Sequence, residues 1–235
     1  MYIGFIMSII IKPTGGLCNK LRFLFSHQAY ANSIEKKLIV IWQADNACPG
    51  GFLDYFQPIE NVTFLDNNND NLEIEFSGCG WHPDYQMCFY KGINYYKNLI
   101  LLPDLKAIID SKIEELNNDY IAVHIRRTDH IELAKKNGNY TDDEEFFKFI
   151  DKYPDKKIYL ATDNEDTQKT FLNKYGDRIT FFDYITSITS KRQTSVFCSI
   201  IDLHLCINAL CFLGSGYSSF SGFIEYNRKA NKSTR

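Results

Sequence analysis

The sequence predicts an α/β chain in which parallel strands alternate with crossover helices in two successive halves. Two observations carry that reading. Short β-branched runs alternate with longer segments whose apolar residues recur at helical spacing, the grammar of parallel strands joined by helices. Several of the strand-like runs also end on glycine, arginine, aspartate or small hydroxyls, where an open parallel sheet meets its ligand. The 235 residues, 45% hydrophobic and 15% aromatic, suffice for a sizeable core in one large domain or two small ones. A net charge of −3 without a run of five like charges offers no concentrated basic surface for nucleic acid.

In the first half, Ile3–Ile11 reads as a buried strand, Asn19–Ser33 as a helix and Leu38–Trp42 as a second strand. Leu21, Leu24, Phe25, Ala29 and Ile34 give the helix one apolar face. Residues 44–55 read as loop, and two short strands are expected at Val62–Leu65 and Leu72–Phe76. Residues 77–98 carry no clear pattern. Pro103 stands where a helix over Asp104–Leu116 can begin. Strands then follow at Tyr120–Ile125, Lys157–Ala161, Arg178–Phe182 and Leu210–Gly214. Helices are expected at Asp142–Asp151, Glu165–Tyr175, Thr194–Ala209 and Ser219–Asn227. The boundary falls near residues 98–103, giving domains 1–100 and 101–235.

The apolar stretch Tyr2–Ile11 is half the length needed to span a bilayer and lacks the flanks of a signal peptide. No transmembrane segment is expected. Seven cysteines without a C-x-x-C pair argue against a disulfide framework and a zinc site, and a reducing, cytoplasmic location is expected.

Four strand ends hold the chemistry. After the first strand comes Thr14-Gly15-Gly16-Leu17-Cys18-Asn19-Lys20-Leu21-Arg22. Its glycines suit a close ligand approach at a helix start, or simply a tight turn. After Tyr120–Val123 comes His124-Ile125-Arg126-Arg127-Thr128-Asp129. Two arginines ending a buried strand suit a diphosphate, or a salt bridge to Asp129. Alternation puts Arg126 and Arg127 on opposite sides, with His124 on the side of Arg126. Thr162-Asp163-Asn164 ends the third run and is also a helix-cap sequence. The fourth, Gly214-Ser215-Gly216-Tyr217-Ser218-Ser219, is a phosphate cradle or a plain capped helix. Asp202 lies inside an apolar helix, where it pairs with a basic neighbour or binds a ligand donor.

In this order, Gly-Gly-Leu-x-Asn-x-Leu-Arg, His-x-Arg-Arg-Thr-Asp, Tyr-Leu-Ala-Thr-Asp-Asn, Asp-Leu-His and Ser-Ser-Phe-Ser resemble the GDP-fucose-dependent fucosyltransferases. The α1,6-fucosyltransferase and nodulation-fucosyltransferase group is the most similar, and the matches run from Gly15 to Ser221. The resemblance implies two Rossmann-like domains of GT-B type with a cleft between them. The first would serve the acceptor and the second the nucleotide sugar. It implies an inverting transfer of fucose from GDP-fucose to a sugar hydroxyl of a glycan, with no metal and no cofactor. Arg126 matches the family's diphosphate arginine, Arg127 its supporting neighbour, and His124 the histidine lining the nucleotide site. Asp163 matches the acidic position after Ala-Thr, Asp202 the aspartate reading guanine, and Ser218 and Ser219 the hydroxyl pair at the phosphate. Gly15, Gly16, Asn19 and Arg22 complete the donor-binding set. Arg126 and Glu132 are the catalytic assignments, although Glu132 lies three residues after Asp129, a spacing that departs from the family's. Asn164 and Cys18 also depart, standing for an acid and a glycine. A transferase of another nucleotide sugar and an inactive GDP-sugar- or glycan-binding relative are the alternatives.

Overall fold

A computed structural model of the chain describes residues 8–69, 71–82, 95–128, 131–182 and 195–232. It forms two compact units, Met1–Pro103 and Asp104–Arg235.

The first unit begins with β1 (Ser8–Pro13), α1 (Leu17–Ser33) and β2 (Lys37–Ile41). β3 (Val62–Leu65) and β4 (Phe76–Gly78) complete a wholly parallel sheet of order β3-β2-β1-β4. Ile9 and Ile11 of β1, Leu21 and Leu24 of α1, and Leu38 and Val40 of β2 are buried together as its core. The strand expected at Leu72–Phe76 forms later. Asn68 bonds both backbone groups of Leu72, its Nδ2 donating to the carbonyl at 2.9 Å and its Oδ1 accepting from the N–H at 2.8 Å. That turn takes up the start of the run, and the Glu75 N–H donates to the Ile10 carbonyl at 2.9 Å as Phe76 comes into register with Ile11. The loop expected over 44–55 contains one 3₁₀ turn, Phe52–Asp54, and a second lies at Tyr95–Asn98. Residues 3–7 of the expected first strand lie outside the described residues.

The second unit opens with α2 (Pro103–Glu115) and β5 (Tyr120–Ile125). It continues through α3 (Ile131–Lys136), α4 (Asp143–Ile150), β6 (Lys157–Thr162) and α5 (Glu165–Tyr175). β7 (Ile179–Thr180), α6 (Val196–Asn208), β8 (Cys211–Gly214) and α7 (Ser219–Lys232) complete it. This sheet is again wholly parallel and ordered β7-β6-β5-β8, so both units wind as third-second-first-fourth strand. All six residues of β5 are buried, as a central parallel strand covered on both faces requires. Ile121, Val123, Ile158, Leu160, Phe146, Ile150 and Phe171 form the core. Helix α3 is not anticipated by the sequence, and β7 is shorter than the expected 178–182 because only Ile179 and Thr180 pair with β6.

Among the described residues no helix is long and apolar enough to cross a membrane. The six described cysteines are free thiols.

The α6–β8 junction depends on one side chain. A helix leaves its last carbonyls without intrahelical partners. Arg228 of α7 supplies them: Nη1 donates to the carbonyls of Cys206, Ile207 and Ala209 at 3.0, 2.8 and 2.5 Å, and Nη2 to Leu210 at 2.9 Å. A cation at a helix carboxyl end also complements the macrodipole. Arg228→Ala should destabilise the second unit by about 2 kcal/mol, the scale of charge-assisted bonds lost from a half-buried site. Thermal unfolding measures the loss, and Arg228→Lys should recover only part of it, because an ammonium lacks the two-pronged fork.

Candidate active site

The carboxyl edge of the second sheet is assembled from strand ends. His124 is paired in register with Gly214 of β8. A Cβ on Gly214 would lie 2.5 Å from Cβ of Ser221, so glycine is what lets the first turn of α7 sit on the strand. Ser221 is thereby brought within 2.7 Å of Nδ1 of buried His124, whose ring lies 4.6 Å from that of Phe220. The carbonyl of His124 accepts from the Ser215 N–H at 2.9 Å, and the Ser215 hydroxyl accepts from the Arg126 N–H at 2.9 Å.

The neighbouring strand end is organised by a carboxylate. Asp163 follows β6 and is 5% exposed. Its Oδ1 accepts from the backbone N–H of Arg127 at 2.8 Å. Its Oδ2 accepts from the Thr128 hydroxyl at 2.6 Å and lies 3.2 Å from Nε of Arg126. Three consecutive residues after β5 are therefore fixed by one buried group. A carboxylate so removed from water requires such donors, because burying it unpaired would cost several kcal/mol. The Thr162 hydroxyl, donating to the Ile125 carbonyl at 2.7 Å, locks β5 and β6 together just below.

The two arginines separate as the strand alternation predicts. Arg126 turns to Asp163, and its side chain stays 19% exposed. Arg127 points the other way, donating to the Thr141 carbonyl at 3.1 Å and to Asp143 at 2.5 Å. Its guanidinium also lies over the rings of Tyr140 and Phe146. Arg127 thus anchors the segment leading into α4. The Thr141 hydroxyl accepts from the Gly216 N–H at 2.9 Å, and a Cβ on Gly216 would come within 2.1 Å of the Asn139 carbonyl oxygen. The loop before α4 and the loop before α7 are therefore clamped together.

Ser218 and Ser219 stand where α7 begins. The Ser218 hydroxyl accepts from the Ser221 N–H at 3.4 Å and its carbonyl from Gly222 at 2.9 Å. The first N–H groups of such a helix have no intrahelical acceptor and carry its positive end. An arginine, a helix amino terminus and serine hydroxyls at adjoining strand ends suit an anionic group.

The remaining sequence-assigned residues lie elsewhere. Asp202 is buried in α6, where the Tyr159 hydroxyl donates to its Oδ1 at 2.7 Å. A tyrosine hydroxyl is thus one partner of the carboxylate inside this apolar helix. Glu132 is exposed in the first turn of α3 and has no hydrogen bond or ion pair with the Arg126 group. Asn164 caps α5, its Oδ1 accepting from the Thr167 N–H at 2.8 Å, so this departure from the family pattern has a structural job. Asp129 lies outside the described residues.

Gly15, Gly16, Asn19 and Arg22 belong to the first unit, at the end of β1. Gly15 has φ +81, a conformation that favours glycine, and a Cβ there would sit 3.3 Å from Nδ2 of Asn19. Gly16 takes the cap position of α1. Arg22 Nη2 donates to Asn19 Oδ1 at 2.9 Å and to the Cys79 carbonyl at 2.8 Å, with the guanidinium 4.9 Å from the Trp81 ring. It ties α1 to the end of β4.

Sequence reasoning placed Ser215, Ser221 and Thr128 within its motifs without giving them individual roles, and it missed Asp143. It also missed Lys20, fully buried in α1, whose Nζ donates to the Gln43 carbonyl at 2.6 Å and pairs with Asp45 at 3.2 Å. Partial burial alone would raise the Asp45 pKa, but the N–H groups of Ala47 and Cys48 and the Lys20 ammonium bring it below the usual value. Among the described residues no group of three His, Cys, Asp or Glu side chains is placed to hold a metal ion.

No family model and no curated protein sequence matches the chain. Solved structures do. A NodZ alpha-1,6-fucosyltransferase soaked with GDP-fucose superposes with a TM-score of 0.64 at 16% identity, covering 93% of this chain and 91% of that one. NodZ from Bradyrhizobium gives 0.58 at 15%, covering 92% and 91%. POFUT1 in complex with GDP gives 0.63 at 12%, covering 95% of each chain. At these identities the likeness is one of fold. The chain has the two-sheet α/β architecture of the GT-B fucosyltransferases, the fold class that its sequence motifs imply.

Proposed function

We propose that the protein is an inverting glycosyltransferase that moves fucose from GDP-fucose to a sugar hydroxyl of a glycan acceptor. The single observation that carries this is Arg126, fixed by buried Asp163 beside the serine-rich start of α7. The solved structures of like fold are fucosyltransferases, among them complexes with GDP and with GDP-fucose.

Departure of GDP leaves negative charge on the terminal phosphate, so groups aimed at that phosphate lower the barrier more than they aid ground-state binding. Arg126 supplies the cation, with Arg127 as its structural support. Ser218, Ser219 and the first N–H groups of α7 supply neutral donors. His124, oriented by Ser221, lines the same edge. Asp202 is the guanine reader: a carboxylate has about four acceptor sites, so Tyr159 can orient it while it accepts from ring N–H groups. In the first unit, Gly15, Gly16 and Asn19, with Arg22 bracing Asn19, keep their assignment to donor binding, and that unit is assigned the glycan. A base must accept the proton of the attacking hydroxyl, and we assign that to Glu132 on its exposed place in the helix that follows Thr128. The free thiols fit a reducing, cytoplasmic location.

GDP and GDP-fucose should raise the melting temperature, by mass action on the native state, whereas UDP and CMP should not. An equal shift with UDP would reassign the donor to another nucleotide sugar, and a GDP shift without turnover would point to a binding protein. Transfer should also persist in EDTA, because Arg126 takes the place of a cation; full loss that manganese restores would contradict this. Arg126→Ala should lower transfer by about 10²–10³-fold with the fold intact, and Arg126→Lys should restore little of it. Asp163→Asn keeps an acceptor for Arg127 but sets an amide N–H₂ against Thr128 and Arg126. It should lower kcat by roughly 10–100-fold, the loss of one charge-assisted bond, while changing GDP affinity less.

A further inference from the structure

Arg126, Ser215, Gly216, Thr141 and Arg127 close a ring at the carboxyl edge of the second sheet. The Arg126 N–H donates to the Ser215 hydroxyl at 2.9 Å, and the chain runs from Ser215 to Gly216. The Gly216 N–H donates to the Thr141 hydroxyl at 2.9 Å. The Thr141 carbonyl accepts from Nη1 of Arg127 at 3.1 Å, which returns the ring to its start beside Arg126. Thr141 makes two of these links, one with its side chain and one with its backbone.

The ring decides how the loop from β8 to α7 is held. Its beginning is fixed by β5, where the Ser215 N–H donates to the His124 carbonyl. Its far end is fixed by Ser221, bonded to the His124 ring. Between those points Gly216 carries the contact to Thr141, and a Cβ at 216 would collide with the Asn139 carbonyl. The segment before α4 thus holds the tip of the loop, just ahead of Ser218 and Ser219. That segment is itself anchored by the Arg127–Asp143 pair and by Asp142, whose Oδ1 accepts from the Glu145 N–H at 2.9 Å. Without such a hold, a loop with glycine at its tip would sample many orientations.

We propose that Thr141 is a positioning residue for the diphosphate bound at this sheet end, a proposal that rests on the donor site described above. Through Gly216 it sets Ser218, Ser219 and the first N–H groups of α7 relative to Arg126. Donors placed before the ligand arrives need no reordering when it binds.

Isothermal titration of pyrophosphate and of GDP against the full chain and its Thr141→Val, Thr141→Ser, Ser218→Ala and Thr141→Val/Ser218→Ala variants tests this. Valine removes the acceptor for Gly216, whereas serine keeps it. Thr141→Val should weaken both ligands by the same factor, about 5-fold, the scale of one neutral hydrogen bond. Thr141→Ser should bind both within about twofold of the parent. Ser218→Ala should also cost about 5-fold. The double variant should lose less than about 10-fold, well short of the roughly 25-fold product, because without Ser218 there is less for Thr141 to position. A merely structural Thr141 would lower the melting temperature and leave the affinities of the folded protein unchanged, which would overturn the proposal. Losses that multiply in the double variant would overturn it too, as would a Thr141→Ser variant as weak as Thr141→Val. A parent that binds pyrophosphate but not GDP, with the same pattern of losses, would remove the nucleotide and support the role of Thr141. Binding of neither would overturn the donor site and that role together.

Discussion

The geometry of the second unit's sheet edge depends on the buried carboxylate of Asp163. It takes the Arg127 N–H, the Thr128 hydroxyl and the Arg126 side chain, so it fixes backbone and side chain of one strand end from the next strand. The alternative for each partner is water, and an exposed arginine in water carries large rotamer freedom. Held here, the guanidinium keeps one orientation before any ligand arrives, which is the condition under which fixed charge stabilises a transition state without reorganisation. The same carboxylate holds the Arg127 backbone, whose side chain, alternating to the other side, knits the segment before α4 to the sheet. One acid thus holds a partly exposed guanidinium and the backbone of a buried one.

Much of this edge was legible in the sequence, because strand alternation is a strict geometric rule. Two adjacent arginines in an extended run cannot face the same side, and the structure separates them as that rule requires. Strands β3 and β5 and helix α5 form over the residues expected, since β-branched runs and a capped helix carry strong local signals. What the sequence conceals is tertiary. The run Leu72–Phe76 has strand-like composition, but the Asn68 side chain folds its beginning into a turn. Lys20 sits in a helical pattern where a lysine reads as surface, and only the Gln43 carbonyl and Asp45 make its burial possible. Asp202 was recognisable as misplaced in an apolar helix, yet one of its partners, Tyr159, comes from a strand 43 residues away.

The two units share no sequence repeat, but they share a strand order and an electrostatic arrangement that follows from it. In each, a basic side chain that follows the first strand, Lys20 within α1 and Arg126 at the end of β5, pairs with an aspartate that follows the second, Asp45 and Asp163 respectively. In each, the fourth strand ends on a glycine that pairs with the end of the first, Gly78 with Pro13 and Gly214 with His124. The ion pair lies on the flank toward the second strand and the glycine on the flank toward the fourth. In an order of third-second-first-fourth, the flank between first and fourth strands is the topological switch point, where open α/β sheets receive their ligands. Lys20 is wholly buried, whereas Arg126 keeps contact with solvent, so only the second pair leaves its cation where a ligand can reach it. A common arrangement, differing in how deeply its cation is buried, seals the cation of the first unit and leaves that of the second in contact with solvent.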